Sequence, residues 1–432
     1  MTPATFAIRP AARPRSAVRA AALLGLLVVT VSAQQPGRPV LYAAVGAELI
    51  RFDVDVERAT LTKRASMTLH ANVQEAALHP SGNYVYIGTS NGGASYAAAS
   101  GGPAPRGSDH RLLAFRIDRA TGALDPHGAA APLPSRPIHL TTDVAGTHVL
   151  SAFPDPSGVT VHRLRADGTV GEEVKPASPL DAGIYGHQIR VTPSNRTVIL
   201  VTRGNNPTST RAEEPGALKI LDYKDGVLRS RATIAPNGGY GFQSRHLDFH
   251  PARPWLFLTL ERQNKLQMYR ISGETIGPEA AFTKETLADP RNVRPGQTTS
   301  SIHVHPNGRF VYLGNRGATT TEVQGRPVWA GGENSIAVFA IDQSTGEPTL
   351  IQNADTHGFQ PRTFAIDAGG RVLVVANQTS MPVRDGERVK MVPAGLTIFR
   401  IRENGTLEFS RAYPIEVSTG RSLFWMGMAS VE

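Results

Sequence analysis

His305-Pro306-Asn307-Gly308-Arg309-Phe310-Val311-Tyr312-Leu313 joins a tight turn to a dense run of β-forming residues. Pro and Asn-Gly supply the backbone angles that a reversal needs, and the run after them is too short for a helix. The phrase recurs as His79-Pro80-Ser81-Gly82-Asn83-Tyr84-Val85-Tyr86-Ile87, as Asp143-Val144-Ala145-Gly146-Thr147-His148-Val149-Leu150, and as Thr192-Pro193-Ser194-Asn195-Arg196-Thr197-Val198-Ile199-Leu200. Two further copies are His250-Pro251-Ala252-Arg253-Pro254-Trp255-Leu256-Phe257 and Asp367-Ala368-Gly369-Gly370-Arg371-Val372-Leu373-Val374. Each copy is followed by a hairpin. Ile336-Ala337-Val338-Phe339-Ala340-Ile341 with its turn at Thr345-Gly346 is one, and Leu396-Thr397-Ile398-Phe399-Arg400-Ile401 with Asn404-Gly405 is another.

Each unit therefore holds four strands: one before the turn, one after it, and the hairpin pair. Four-stranded antiparallel units that repeat around an axis are the blades of a β-propeller. A solenoid is the alternative, but it needs capping repeats and none is visible. The ends complete the count. Residues 40–63 read as the outer three strands of a blade, and Ser422-Leu423-Phe424-Trp425-Met426-Gly427-Met428 reads as a first strand without the rest. Six whole units plus one shared between the ends predict an all-β, seven-bladed propeller over residues 37–432, closed by the shared blade so that no sheet edge is left free. Extra length gathers at 91–110, 205–216, 318–333 and 379–394, always between the second and third strands of a blade, and the loops between the remaining strands are expected to be short.

The first 33 residues read differently. Arg9, Arg13, Arg15 and Arg19 precede an apolar stretch from Ala20 to Thr30, and Val31-Ser32-Ala33 offers small residues for cleavage. This is the pattern of a secretory signal peptide, so the expected location is periplasmic or secreted, with no membrane contact after cleavage. An uncleaved anchor is the alternative reading. The formal charge of +9 falls by the four leader arginines, and no basic run with interleaved aromatics occurs, which argues against nucleic-acid binding. The chain has no cysteine, so disulfides, thiolate nucleophiles and thiolate metal sites are excluded.

Antiparallel order brings the residues just before each first strand and just after each second strand to one mouth of the ring. Counted from the second residue of each repeat phrase (80, 144, 193, 251, 306 and 368), six residues earlier stand Gln74, Ile138, His187, Arg245, Ser300 and Arg362, and ten residues later stand Ser90, Pro154, Arg203, Glu261, Arg316 and Gln378. Arginines facing one axis suit a carboxylate or phosphate, because the guanidinium fork bonds two oxygens at once. His187 and Glu261 are the candidate bases, and Arg245 and Arg316 the candidate stabilisers of a developing oxyanion. Arg362, Arg203 and Gln74 are candidate substrate-binding residues. His79, His250 and His305 sit in the repeat turns and read as structural, as do His246 and His303. No histidine pair has zinc-ligand spacing beside a carboxylate, so no metal and no cofactor is expected.

The ordered set Gly186-His187, Ser244-Arg245-His246 ahead of Phe249-His250-Pro251, Leu260-Glu261, Asn315-Arg316 and Gln360-Pro361-Arg362 resembles the lactonase family of seven-bladed propellers. That family includes bacterial 6-phosphogluconolactonases and fungal carboxymuconate-lactonising enzymes. The similarity runs over nearly all of the chain after the leader. It implies a metal-independent site of one His, two Arg and one Glu, which falls on His187, Arg245, Glu261 and Arg316. The leader and the long insertions depart from the family pattern. The expectation is therefore a monomeric hydrolase of a small, anionic cyclic ester. The alternative is an exported propeller without catalysis that binds a small anion or a protein partner.

Overall fold

A computed structural model of the chain describes Met1 and residues 37–93, 106–418 and 421–432. The expected leader, 1–33, lies outside the described residues apart from Met1, as does the middle of the 91–110 insertion. Seven antiparallel sheets follow one another along the chain. Their innermost strands, blades 1 to 7, are Asn72–Leu78, His139–Thr142, Gly186–Val191, Ser244–Phe249, Thr298–Val304, Phe359–Ile366 and Leu423–Val431. In blade 7 the last strand pairs with Arg38–Val45, which continues outward through Glu48–Asp55 and Thr60–Thr68. The closure is the one expected from the sequence, and Arg119 secures it by donating from Nη1 to the carbonyls of Ser430 (2.6 Å) and Gly82 (3.0 Å).

The buried apolar residues fall into seven clusters, and each is shared by two neighbouring blades. The second strand of blade 5 shows why its sequence is apolar without a break. Val311 and Leu313 pack on blade 4, while Phe310 and Tyr312 pack on blade 6. A strand covered on both faces has no polar side to alternate with.

The repeat turns are clamps between blades. In His305 the Nε2–H donates to the carbonyl of Gly370 (2.8 Å) in the next blade, while Nδ1 accepts from the Asn307 N–H. His250 reaches Gly308 and His79 reaches Gly146 in the same way. The glycine is required: Gly308 has φ +70°, and a Cβ there would stand 2.5 Å from the His250 ring. His305→Ala is expected to lower the unfolding free energy by about 1–3 kcal/mol, because it strands a buried carbonyl. Urea unfolding reads this as an earlier midpoint; an unmoved midpoint rules the clamp out.

Two details differ from the expectation. In blades 1 and 4 the outermost position is split between two short strands, Leu124–Pro126 with Ala131–Pro132 and Thr275–Ile276 with Phe282–Glu285. The links from one blade to the next are also longer than the sequence suggested, notably between Glu173 and Gly186. The insertions at 318–333 and 379–394 each fold into a hairpin, Thr320–Val323 with Arg326–Trp329 and Met381–Asp385 with Arg388–Val392.

Candidate active site

Six of the seven innermost strands share one irregularity. Register slips past Gln74 in blade 1, His187 in blade 3, Arg245 and His246 in blade 4, Ser300 and Ser301 in blade 5, Arg362 in blade 6 and Phe424 in blade 7. A bulge re-aims a side chain out of the sheet alternation. Here it turns His187, Arg245, Arg362 and Phe424 toward the axis, where Arg203, Glu261 and Arg316 arrive from the ends of the second strands of blades 3, 4 and 5. With Arg136, Ile138 and Tyr185 they line a cavity of about 150 Å³. A space of that order holds a benzene-sized ring.

Glu261 is the hub. Its Oε1 accepts from Arg245 Nε (3.2 Å) and Arg316 Nη2 (2.5 Å), and its Oε2 from Arg203 Nη1 (3.2 Å). Burial pushes this carboxyl up, but the three guanidiniums outweigh burial and hold it at about 2. Both oxygens are thus committed, and the proton affinity of a base is gone. Five guanidiniums surround the cavity against this one lining carboxylate. Repulsion on that scale asks for an anion.

Two buried polar atoms at the cavity have no protein partner: Nη1 of Arg245 and Nδ1 of His187. A buried donor or acceptor without a partner needs a reason, and a ligand is one. Burial, then Arg245 and the other arginines, drive the His187 imidazole well below its ordinary value, so it is neutral at pH 7. Its ring lies 5.0 Å from that of His246, which lies 5.8 Å from His139. His246, His139 and His303 line a second axial cavity of about 440 Å³, built from later residues of the inner strands. Glu75 lines it too, and burial raises its carboxyl to about 7 in spite of Arg362.

The structure therefore brings together His187, Arg245, Glu261, Arg316, Arg362 and Arg203. Gln74 is not in the lining. It sits behind Arg136, accepting from its Nη1 at 3.1 Å. Ser300 and Ser301 turn sideways, donating to the carbonyls of Pro361 and Arg362. Sequence reasoning missed Arg136 and Tyr185, which come from the links between blades, and Phe424, on which the Arg362 guanidinium stacks at 3.9 Å. Phe424 was findable: it occupies in the closing blade the place that His187, Arg245 and Arg362 occupy in theirs. Among the described residues no group of three or more His, Asp or Glu is placed to hold a metal ion.

Residues 40–391 match the family model for lactonases of the seven-bladed β-propeller type. The chain belongs to this lactonase family. Curated relatives of this lactonase-family propeller include a 6-phosphogluconolactonase of Pectobacterium carotovorum, 27% identical over 76% of this chain and 83% of its own length. Another is the 6-phosphogluconolactonase of Cronobacter sakazakii, 25% identical over 75% and 82%. Among solved structures, the periplasmic gluconolactonase of Pseudomonas aeruginosa superposes with a TM-score of 0.63 at 16% identity, covering 91% of this chain and 99% of its own. A Bacteroides uniformis protein reaches 0.66 at 19% identity, over 91% and 100%. At these identities the structural likeness speaks for the fold of the lactonase-family chain.

Proposed function

We propose that this propeller hydrolyses a small lactone that carries an additional anionic group, in the cavity around Glu261. The observation that carries the reading is the set of five guanidiniums around a ring-sized space, with an unpartnered Arg245 Nη1 and His187 Nδ1 turned loose within it. Family membership and the names of the curated relatives support the reaction class.

In this reading the bound anion offsets the arginines that depress His187, and its unpartnered Nδ1 takes the proton of the attacking water. Arg245 Nη1 donates to the oxyanion that forms on the lactone carbonyl. Glu261, read from the sequence as a possible base, is better suited to holding Arg203, Arg245 and Arg316 in place. Arg362, whose guanidinium stacks on Phe424, suits the carboxylate or phosphate of the substrate.

A pH-stat comparison of a phosphorylated and an uncharged δ-lactone tests the proposal. A charge-assisted contact contributes about 1.5–3 kcal/mol, so the phosphorylated ester should be favoured by roughly 10–100-fold in kcat/KM. Added salt should narrow that gap. Hydrolysis of neither ester above the spontaneous rate removes the proposal; saturable binding of the phosphorylated acid without turnover points instead to a binding propeller.

A further inference from the structure

Tyr185 belongs to no repeat position, yet its backbone is held where aromatic residues rarely go. Its φ is +60°. Such a conformation costs of order 1–3 kcal/mol and persists only where neighbours impose it. Here its carbonyl accepts the Arg203 N–H at 2.9 Å, and Gly186 begins the bulged strand immediately after it. The ring is packed against the site on two sides. It stacks on His187 with centroids 6.2 Å apart and planes inclined by 25°, and the Arg203 guanidinium lies 4.0 Å from its centroid. Its hydroxyl is hydrogen-bonded with Arg136, itself a lining residue.

Opening a lactone requires a proton for the ring oxygen that leaves. The lining offers few sources. Guanidiniums do not give up protons in proteins, and Glu261 is ionised with both oxygens engaged. The imidazolium formed on His187 is the one competing donor. Tyr185 is the only hydroxyl among the lining residues.

We propose, resting on the lactonase reading above, that Tyr185 is the catalytic acid that protonates the leaving ring oxygen. Water adds its oxygen to the carbonyl carbon and its proton goes to His187. The bond from that carbon to the ring oxygen then breaks, its electron pair stays on the ring oxygen, and the phenolic proton moves there. The phenolate faces the Arg136 cation, and the imidazolium of the stacked His187 returns a proton to it through a water molecule. The sum is lactone plus water giving the hydroxy acid, which ionises in solution. Tyr185 thus links the two proton transfers, with its ring fixing the plane of His187 and its hydroxyl serving the departing group.

Tyr185→Phe keeps the ring and its stacking and removes only the hydroxyl. On the phosphorylated δ-lactone, kcat should fall by about 10²–10³-fold while KM stays within about threefold, as expected for lost acid catalysis. A lactone with a phenolic ring oxygen, which leaves without being protonated, should lose far less, a contrast that a merely structural role would not produce. A kcat within threefold of the parent, or a loss carried wholly by KM, overturns the assignment and leaves Tyr185 a spacer. Arg136→Gln leaves the phenol in place and decides the matter if the Phe variant does not fold. A fall in kcat of about tenfold with KM within threefold supports the assignment, and an unchanged kcat overturns it. If the parent protein opens no lactone, the failure lies with the reaction class and is seen before any variant is made.

Discussion

Glu261→Gln is expected to be the most damaging single change in the site, lowering the unfolding free energy by about 3–5 kcal/mol. The substitution keeps size and shape but removes the one negative charge shared by Arg203, Arg245 and Arg316. The side chains of Arg245 and Glu261 are only 1% and 7% exposed, so water cannot take over the screening. Three guanidiniums would then face one another across a neutral amide whose NH2 group donates instead of accepting. Activity should disappear with the geometry, and bound phosphate should recover part of the lost melting temperature by supplying the missing charge. The same logic fixes the acid response. The carboxyl sits at about 2 in the folded chain against an ordinary 4.5. A depressed carboxylate contributes its full stability above about pH 4.5 and loses it as pH falls toward 2. Acid unfolding of the parent should therefore steepen in that window, and the Gln variant should lack that component. A variant that melts with the parent would show that the hub contributes nothing.

His187→Asn should be modest in stability and severe in rate. Its imidazole has an unpartnered nitrogen, so the loss is limited to its ring contacts with Tyr185 and His246, whereas removal of a general base typically costs about 10²–10⁴-fold in kcat. The pH profile gives a second reading. Because burial and the surrounding arginines hold the imidazole well below its ordinary range, the basic form prevails throughout neutral pH. The parent kcat/KM, which reports the free enzyme, should be flat through the range where an exposed histidine titrates and fall only at lower pH. A profile with its midpoint near the ordinary histidine value, or a variant that keeps most of its rate, removes His187 from the mechanism.

The blade count was legible because every second strand is packed on both sides, which leaves a dense apolar run behind each turn. Val311 and Phe310, adjacent in sequence, bury against different neighbours, and that demand repeats at every interface. The site was legible where it follows the repeat, at His187, Arg245, Arg362, Arg203, Glu261 and Arg316. It was illegible where position depends on backbone irregularity or on linker path. Counting finds Gln74 and Arg362 at equivalent places, but one lines the cavity and the other supports Arg136. Tyr185 and Arg136 reach the axis through links of unequal length, for which the repeat supplies no register. The chemistry of Glu261 was hidden as well: a carboxylate reads as a base until its two oxygens are seen to be taken.

Ring closure carries a consequence for how the protein comes into use. Phe424, which stacks on Arg362 and whose carbonyl accepts from its Nη1 at 3.4 Å, sits on the last of the seven inner strands in chain order. A nascent chain already contains all five arginines, Glu261, His187 and Tyr185, yet one wall of its pocket has not been made. Turnover must then wait until the Leu423–Val431 strand has been made and has docked beside Arg38–Val45, so a product stalled or clipped before residue 423 would be inert however well its other blades had formed.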